Sequence, residues 1–155
     1  MNNPKALTCD YKGLATMLAT RCSISAYNPV NQNSVQPAKF NALWDTGAMA
    51  TMISTNVVNL LGLKPIGKAR VFHANGESMV YTYLINILLQ NEIEFHSLLV
   101  TEGQLSDTDV LIGMDIISEG DFAVTSSDGD TKMSFQVPST HEIDFVQEII
   151  RKANS

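Results

Sequence analysis

The residues best suited to chemistry lie in the segment ALWDTGAMATMIS, residues 42–54, which carries Asp45, Thr46 and Gly47 after an apolar run. A carboxylate at the end of a buried strand can act as a general base that activates water. If a second carboxylate faces the first, like charges so close cannot both ionise, and the pair holds one proton. One group then accepts a proton while the other donates one. Such a pair can hydrolyse a peptide bond without a metal.

Asp-Thr-Gly alone is a weak motif, because Asp often caps an ordinary turn and three residues recur by chance. No other segment repeats it: SDTDV (106–110) lacks the glycine, and SSDGDT (126–131) is typical of a turn. A phosphate-binding loop in GLKPIGKA (62–69) is disfavoured, because no Ser or Thr follows the lysine and a strand follows the segment. The three histidines lie far apart in sequence, so we expect no metal site and no cofactor.

Composition narrows the class of protein. With 155 residues, 45% of them hydrophobic and 17% charged, the chain is expected to form a single domain over residues 1–155 with a sizeable core. A formal net charge of -6 and scattered basic residues disfavour nucleic acid and membrane partners. No segment is typical of a signal peptide or membrane span, and Cys9 and Cys22 indicate neither a disulfide framework nor a zinc site. A cytoplasmic location is therefore expected.

The elements around Asp45 are predicted to be strands. Residues 16–27 and 38–44 are expected to form a hairpin around the polar loop 28–37, which delivers Asp45 at a strand end. Residues 50–54 are predicted to form a short buried strand.

A helix is predicted next, over STNVVNLLGL. Ser54 or Thr55 is its expected N-cap and Gly62 its C-cap. Its expected apolar face comprises Val57, Val58, Leu60 and Leu61.

Further strands are predicted downstream. Asn75-Gly76, the dipeptide of type I′ turns, indicates a long hairpin within residues 71–81. A strand is expected over 93–100. The apolar run 110–117 predicts a buried strand that enters a helical turn, with Gly113 allowing another backbone to approach closely.

The C-terminal third is predicted to contain a hairpin and a helix. The hairpin turns at Asp128-Gly129, and Ser139 with Glu142 has the spacing of a capping box for the helix. The apolar face of this helix carries Ile143, Val146 and Ile150. We expect that face to pack on the core of its own chain, with a partner subunit as the alternative.

The combination of these segments resembles the retropepsin-like aspartic proteases, above all their cellular and retrotransposon-like members, over about residues 40–137. The segments that carry the resemblance are LWDTGA (43–48), LLGL (60–63), VFHANGESMVY (71–81), DVLIGMD (109–115) and KMSFQVP (132–138). It implies a mostly β, closed β-barrel-like retropepsin (acid protease) fold with one short internal helix and a C-terminal helix. Residues 1–39 would be an N-terminal strand region, and residues 139–155 the terminal helix.

The resemblance also implies an aspartic endopeptidase with Asp45, Thr46 and Gly47 as its catalytic motif. Because this chain supplies one such loop, the active form is expected to be a homodimer in which two Asp45 carboxylates meet on a two-fold axis. The Gly47 N–H would donate to Asp45, and the Thr46 hydroxyl would bond the partner's loop. Ala48 offers no hydroxyl to stabilise a charged carboxylate, so activity is expected at weakly acidic to neutral pH.

A peptide or protein substrate is expected to contact Ala48, Ala74, Asn75, Gly76 and Ile112. In this interpretation the hairpin around Asn75-Gly76 is a flap that closes over the substrate. The segment Leu111-Ile112-Gly113 packs behind the catalytic loop.

Two other functions are compatible with the same sequence. A retropepsin-like domain could dimerise or bind peptide without cleaving it, because a fold persists after its chemistry is lost. An unrelated β-rich binding protein could use Asp45 only to cap a turn.

Overall fold

A computed structural model describes residues 3–30, 36–73 and 76–155. Its strands and α-helices in chain order are β1 (Lys5–Tyr11), β2 (Ala19–Ala26), β3 (Ala38–Trp44), β4 (Met52–Ser54), α1 (Thr55–Leu61), β5 (Gly67–His73), β6 (Gly76–Leu88), β7 (Glu94–Gly103), β8 (Val110–Ile112), α2 (Met114–Ile117), β9 (Asp121–Thr125), β10 (Thr131–Val137) and α3 (Phe145–Ala153). Within these described ranges, each helix is too short or too polar to cross a membrane.

Six strands close into a barrel. The larger sheet has the order β2-β3-β8-β4-β7-β6-β5, and a second pairing between β2 and β6 closes the ring. Closure leaves β5 outside the barrel, where it pairs with β6 and extends the hairpin. A separate three-stranded sheet has the order β1-β10-β9. The prediction of a mostly β fold with a closed barrel is confirmed.

Alternating burial explains the first hairpin. Thr20, Cys22 and Ile24 of β2 are buried, and their neighbours in the strand are more exposed, which is the period of two that a strand requires. The antiparallel register places Cys22 opposite the buried Phe40 of β3. The predicted hairpin is confirmed, although its first strand begins at residue 19 rather than 16.

Trp44 connects the two sheets. Its ring stacks on Phe122 of β9 at a centroid distance of 5.5 Å and contacts Phe135 of β10 at 5.0 Å. The indole Nε1 donates to the Thr20 hydroxyl at 3.0 Å, so the one polar atom of the ring is satisfied. These contacts fix the end of β3 one residue before Asp45.

Helix α1 has the predicted caps but a narrower buried face. The Ser54 hydroxyl accepts from the Val57 amide at 3.4 Å, and Gly62 adopts a left-handed conformation with φ of 59°. Val57 is fully buried, whereas Leu60 is 61% exposed. The inclusion of Leu60 in the apolar face was therefore wrong, because α1 packs on the barrel along one edge only.

The register of the second hairpin corrects its predicted turn. The ladder between β5 and β6 ends at the pair His73–Gly76. Gly76, with φ of 125°, is thus the first residue of β6 rather than a central residue of a two-residue turn. Ala74 and Asn75 lie outside the described residues.

The C-terminal helix begins later than predicted. Its N-cap is Asp144, whose carboxylate accepts from the Gln147 amide at 3.0 Å, so the capping box at Ser139 and Glu142 was wrong. Ile143 precedes the helix. Every residue from 138 to 155 is exposed, so the apolar face does not pack on the core of its own chain, contrary to the prediction.

Asp121 of β9 holds the segment that leads to α3. The hydroxyl of Ser139 donates to this carboxylate, as do the amides of Thr140 at 2.8 Å and His141 at 3.0 Å. These donors, with the Ser139 hydroxyl the strongest, lower the pKa of Asp121 to about 2, because each favours the charged form. Ser139, assigned to a helix cap from the sequence, thus belongs to this attachment.

We expect the attachment to depend on the Asp121 charge. Because the folded pKa is depressed below the ordinary value of 3.8, its contribution to stability is complete above that value and is lost as the pH falls towards about 2. Asp121→Ala should accelerate hydrogen exchange of the Thr140 and His141 amides several-fold at neutral pH. Asp10→Ala, which removes a carboxylate paired with Lys132 in the same sheet, is the control and should leave both amides unchanged. Unchanged exchange in Asp121→Ala would contradict this assignment.

Candidate active site

The Asp45 loop crosses the end of one strand that lies between its two arms. Strand β8 pairs in parallel with β3, with Trp44 opposite Ile112, and antiparallel with β4, with Met52 opposite Leu111. The loop over residues 45–51 leaves β3 and returns as β4. It must therefore pass over the carboxyl end of β8, where Gly113 follows.

Backbone groups orient Asp45. Its amide donates to the Ile112 carbonyl at 2.9 Å, and the Ala48 amide donates to the Asp45 carbonyl at 3.2 Å, which closes the turn. The Gly47 amide donates to Asp45 Oδ1 at 2.8 Å, as the sequence predicted. A methyl group at position 47 would lie 3.1 Å from this oxygen, so glycine permits the close contact.

Gly113 permits a second close approach on the opposite side of the loop. A methyl group there would lie 2.6 Å from the carbonyl carbon of Ala50, a distance that no side chain can accept. The next amide, that of Met114, donates to the Ala48 carbonyl at 2.8 Å. The predicted strand, glycine and helical turn are confirmed, and together they support the loop from beneath.

Two further residues, Thr51 and Asp115, hold the loop. The buried Thr51 hydroxyl accepts from the Gly113 amide at 3.2 Å and donates to Asp115 Oδ1 at 2.8 Å. The Thr51 amide donates to Asp115 Oδ2 at 2.9 Å, so the carboxylate takes both donors of one residue. Sequence reasoning assigned these residues no role. The available signals were a hydroxyl within the apolar segment ATMIS and an acidic residue directly after Leu-Ile-Gly-Met.

The loop itself is open to solvent. Asp45 is half-buried, Thr46 and Gly47 are exposed, and Met49 is 82% exposed. Within the described residues, Asp45 Oδ2 and the Thr46 hydroxyl have no hydrogen-bond partner. One chain therefore presents a half-buried carboxylate that the Gly47 amide orients through Oδ1.

The predicted substrate-binding residues occupy different positions. Ala48 is half-buried in the loop, and Gly76 is exposed at the start of β6. Ile112 is fully buried, so what it offers to the site is its carbonyl, which accepts from the Asp45 amide. Ala74 and Asn75 lie outside the described residues.

Comparisons with known proteins agree with this architecture. A family model described as "gag-polyprotein putative aspartyl protease" matches residues 31–119, a span that contains the Asp45 loop, β8 and α2. This match covers more than half of the chain. The chain therefore belongs to this family of retropepsin-like aspartic proteases. No curated protein matches the sequence.

Several solved structures are similar to this chain. A retropepsin-like aspartic protease from Rickettsia conorii aligns over 86% of this chain and 95% of its own, with a TM-score of 0.54 at 14% identity. EIAV protease complexed with the inhibitor HBY-793 aligns over 68% of this chain and 88% of its own, with a TM-score of 0.49 at 19% identity. The retroviral protease-like domain of Ddi1 from Leishmania major aligns over 71% of this chain and 82% of its own, with a TM-score of 0.45 at 20% identity. The similarity to the rickettsial structure supports the retropepsin-like fold.

Thr51→Val tests the support beneath the loop. The change keeps the side-chain volume but leaves the Gly113 amide without its acceptor, and an unpaired buried group costs about 1 to 3 kcal/mol. We expect that loss in the free energy of unfolding, measured by urea denaturation. Thr55→Val is the matched control, because the Thr55 hydroxyl donates to Glu102 at the surface, and it should cost less than about 0.5 kcal/mol. Equal losses in the two variants would contradict the assigned role of Thr51.

Proposed function

We propose that the chain is an aspartic endopeptidase whose active form is a homodimer. The observation that carries this proposal is the half-buried Asp45 carboxylate, which the Gly47 amide orients through Oδ1 in a loop whose neighbouring residues Thr46 and Gly47 are exposed. The membership of the chain in an aspartyl protease family supports the same chemistry.

In the proposed mechanism, the Asp45 carboxylates of two subunits face each other and share one proton. The ionised carboxylate removes a proton from a water molecule held between them, and the water oxygen attacks the carbonyl carbon of the scissile peptide. The protonated carboxyl donates its proton to the departing nitrogen as the carbon–nitrogen bond breaks.

The geometry of a single subunit favours this symmetric arrangement. A catalytic pair needs two carboxylates, and the sequence contains one Asp-Thr-Gly. The exposed Thr46 hydroxyl can bond the partner's loop across a two-fold axis, where the same surface meets itself. In the dimer, this hydroxyl would exchange its water partners for a protein partner.

A peptide or protein is the proposed substrate, and the hairpin of β5 and β6 is its proposed cover. One face of this hairpin, with Val71 and Val80, is half-buried, whereas the opposite face exposes Phe72 and Met79. We propose that the half-buried face is the one that contacts the substrate. Ala48, in the Asp45 loop, and Ala74, Asn75 and Gly76 remain proposed substrate contacts.

Asp45→Asn should abolish cleavage of a diverse peptide mixture analysed by mass spectrometry from weakly acidic to neutral pH. The amide is nearly isosteric but cannot hold the shared proton, so we expect a loss of about 1,000-fold or more. Asp107→Asn changes an exposed Asp that also precedes a Thr, and should retain full activity. The specific activity of the wild type should rise with protein concentration, because two chains build one site.

Two results would contradict this proposal. Cleavage that persists in Asp45→Asn would place the activity elsewhere or in a contaminant. A folded, dimeric wild type that cleaves nothing would favour the non-catalytic dimerisation or peptide-binding domain.

A further inference from the structure

The apolar face of α3 is not covered by its own chain. Phe145, Val146, Ile149 and Ile150 are 64%, 65%, 67% and 47% exposed. The other three follow Phe145 by one, four and five residues, so all four lie on one side of the helix. Single exposed apolar residues are common, but a contiguous row of four on one helix face marks an interaction surface.

The charges of α3 are divided between its two ends. Glu142 and Asp144 lie at the N-terminal end, and Arg151 and Lys152 lie in the last turn. Two copies packed antiparallel bring the acidic end of each helix to the basic end of the other. A parallel pair would place like charges together, and its two helix dipoles, pointing in the same direction side by side, would also repel each other.

The same charges disfavour an anionic membrane as the occupant. Such a surface attracts amphipathic helices with an excess of Lys and Arg on the polar side. Here Glu142, Asp144 and Glu148 outnumber Arg151 and Lys152. A protein surface with complementary charges fits better, and the helix is complementary to itself.

We propose that α3 packs antiparallel on α3 of a second copy of this chain. A symmetric pairing centred between residues 147 and 148 places Phe145 opposite the partner's Ile150, and Val146 opposite the partner's Ile149. In the same register, the end of α3 that carries Asp144 lies beside the partner's end that carries Arg151, with both side chains on the polar side of the helix. Each apolar residue is therefore matched by an apolar residue of the partner, and the acidic end of each helix lies beside the basic end of the other.

This pairing rests on the proposed homodimer and adds to its interface. Nine helical residues span about 13 Å, and their contact is far smaller than the roughly 800 Å² per partner of a typical stable interface. The attachment point of α3 also lies near the end of β3, the strand that leads into Asp45. Asp121 of β9 anchors the segment before α3, and the adjacent Phe122 stacks on Trp44, which directly precedes Asp45.

Ile149→Asp tests whether α3 contributes to dimerisation. The side chain is exposed in the single chain, so the substitution should leave the thermal unfolding of the subunit nearly unchanged. In sedimentation equilibrium of the full chain, the dimer dissociation constant should rise at least about tenfold, because dimerisation would bury the new carboxylate of each chain in the apolar contact. Leu60→Asp, on an exposed helix position outside α3, is the matched control and should leave the constant unchanged.

The orientation is tested by disulfide cross-linking in a Cys9→Ser background. Chains carrying Phe145→Cys should cross-link to chains carrying Ile150→Cys, and neither variant alone should do so. In the antiparallel register, two residues at position 145 are offset by about 7.5 Å along the axis, which exceeds the reach of a disulfide. Cross-linking within either variant alone would instead indicate a parallel pair and overturn the proposal.

The remaining outcomes separate this inference from the proposed function. An unchanged dissociation constant in Ile149→Asp, together with Asp45-dependent cleavage, would overturn the α3 pairing and leave the protease dimer intact. A wild type that stays monomeric at all concentrations would overturn both the pairing and the homodimer on which it rests.

Discussion

The position of Asp45 depends on the close contact between the backbone around Gly113 and the loop that crosses it. Strand β8 lies between β3 and β4, so the loop that joins those two strands has to pass over the end of β8. A residue with a side chain at position 113 would meet the Ala50 carbonyl at 2.6 Å. Without this glycine the loop would have to rise, and the carboxylate would move with it.

Hydrogen bonds convert that contact into a defined conformation. Thr51 and Asp115 link the returning arm of the loop to Gly113 and to the first turn of α2. A polar group inside a protein is costly unless it is paired, and here the buried hydroxyl both donates and accepts. The carboxylate of Asp115 therefore helps to fix a second carboxylate, Asp45, through Thr51 and the Ile112–Gly113 backbone, without touching it.

In the proposed homodimer, each subunit would supply half of the chemical site. The Gly47 amide holds one oxygen of Asp45, and the adjacent Thr46 is exposed. A two-fold axis at this loop would complete the carboxylate pair and bring the two Thr46 hydroxyls to the same interface. The exposed row on α3 is consistent with the same principle, because its apolar residues and its divided charge are each complementary to a second copy.

Local chemistry made much of this structure readable from the sequence. The hairpin of β2 and β3, the caps at Ser54 and Gly62, and the glycine after Leu-Ile were predicted, because each depends on a few neighbouring residues. The turn of the second hairpin and the cap of α3 were displaced, because several adjacent residues could serve either role. Gly76 belongs to strand β6 rather than to the turn, and Asp144 rather than Ser139 caps the helix.

The sequence by itself determined the carboxylate, the glycine that lets an amide reach it, and the strand whose end carries it. The tertiary structure alone decided which distant groups hold that loop and which surfaces stay uncovered. The bonds from Thr51 to Asp115 and from Ser139 to Asp121 join residues 64 and 18 positions apart. Neither pairing has a local sequence pattern, because each follows from how whole strands are placed. The burial of an apolar helix face is decided in the same way, by whether another surface is there to receive it.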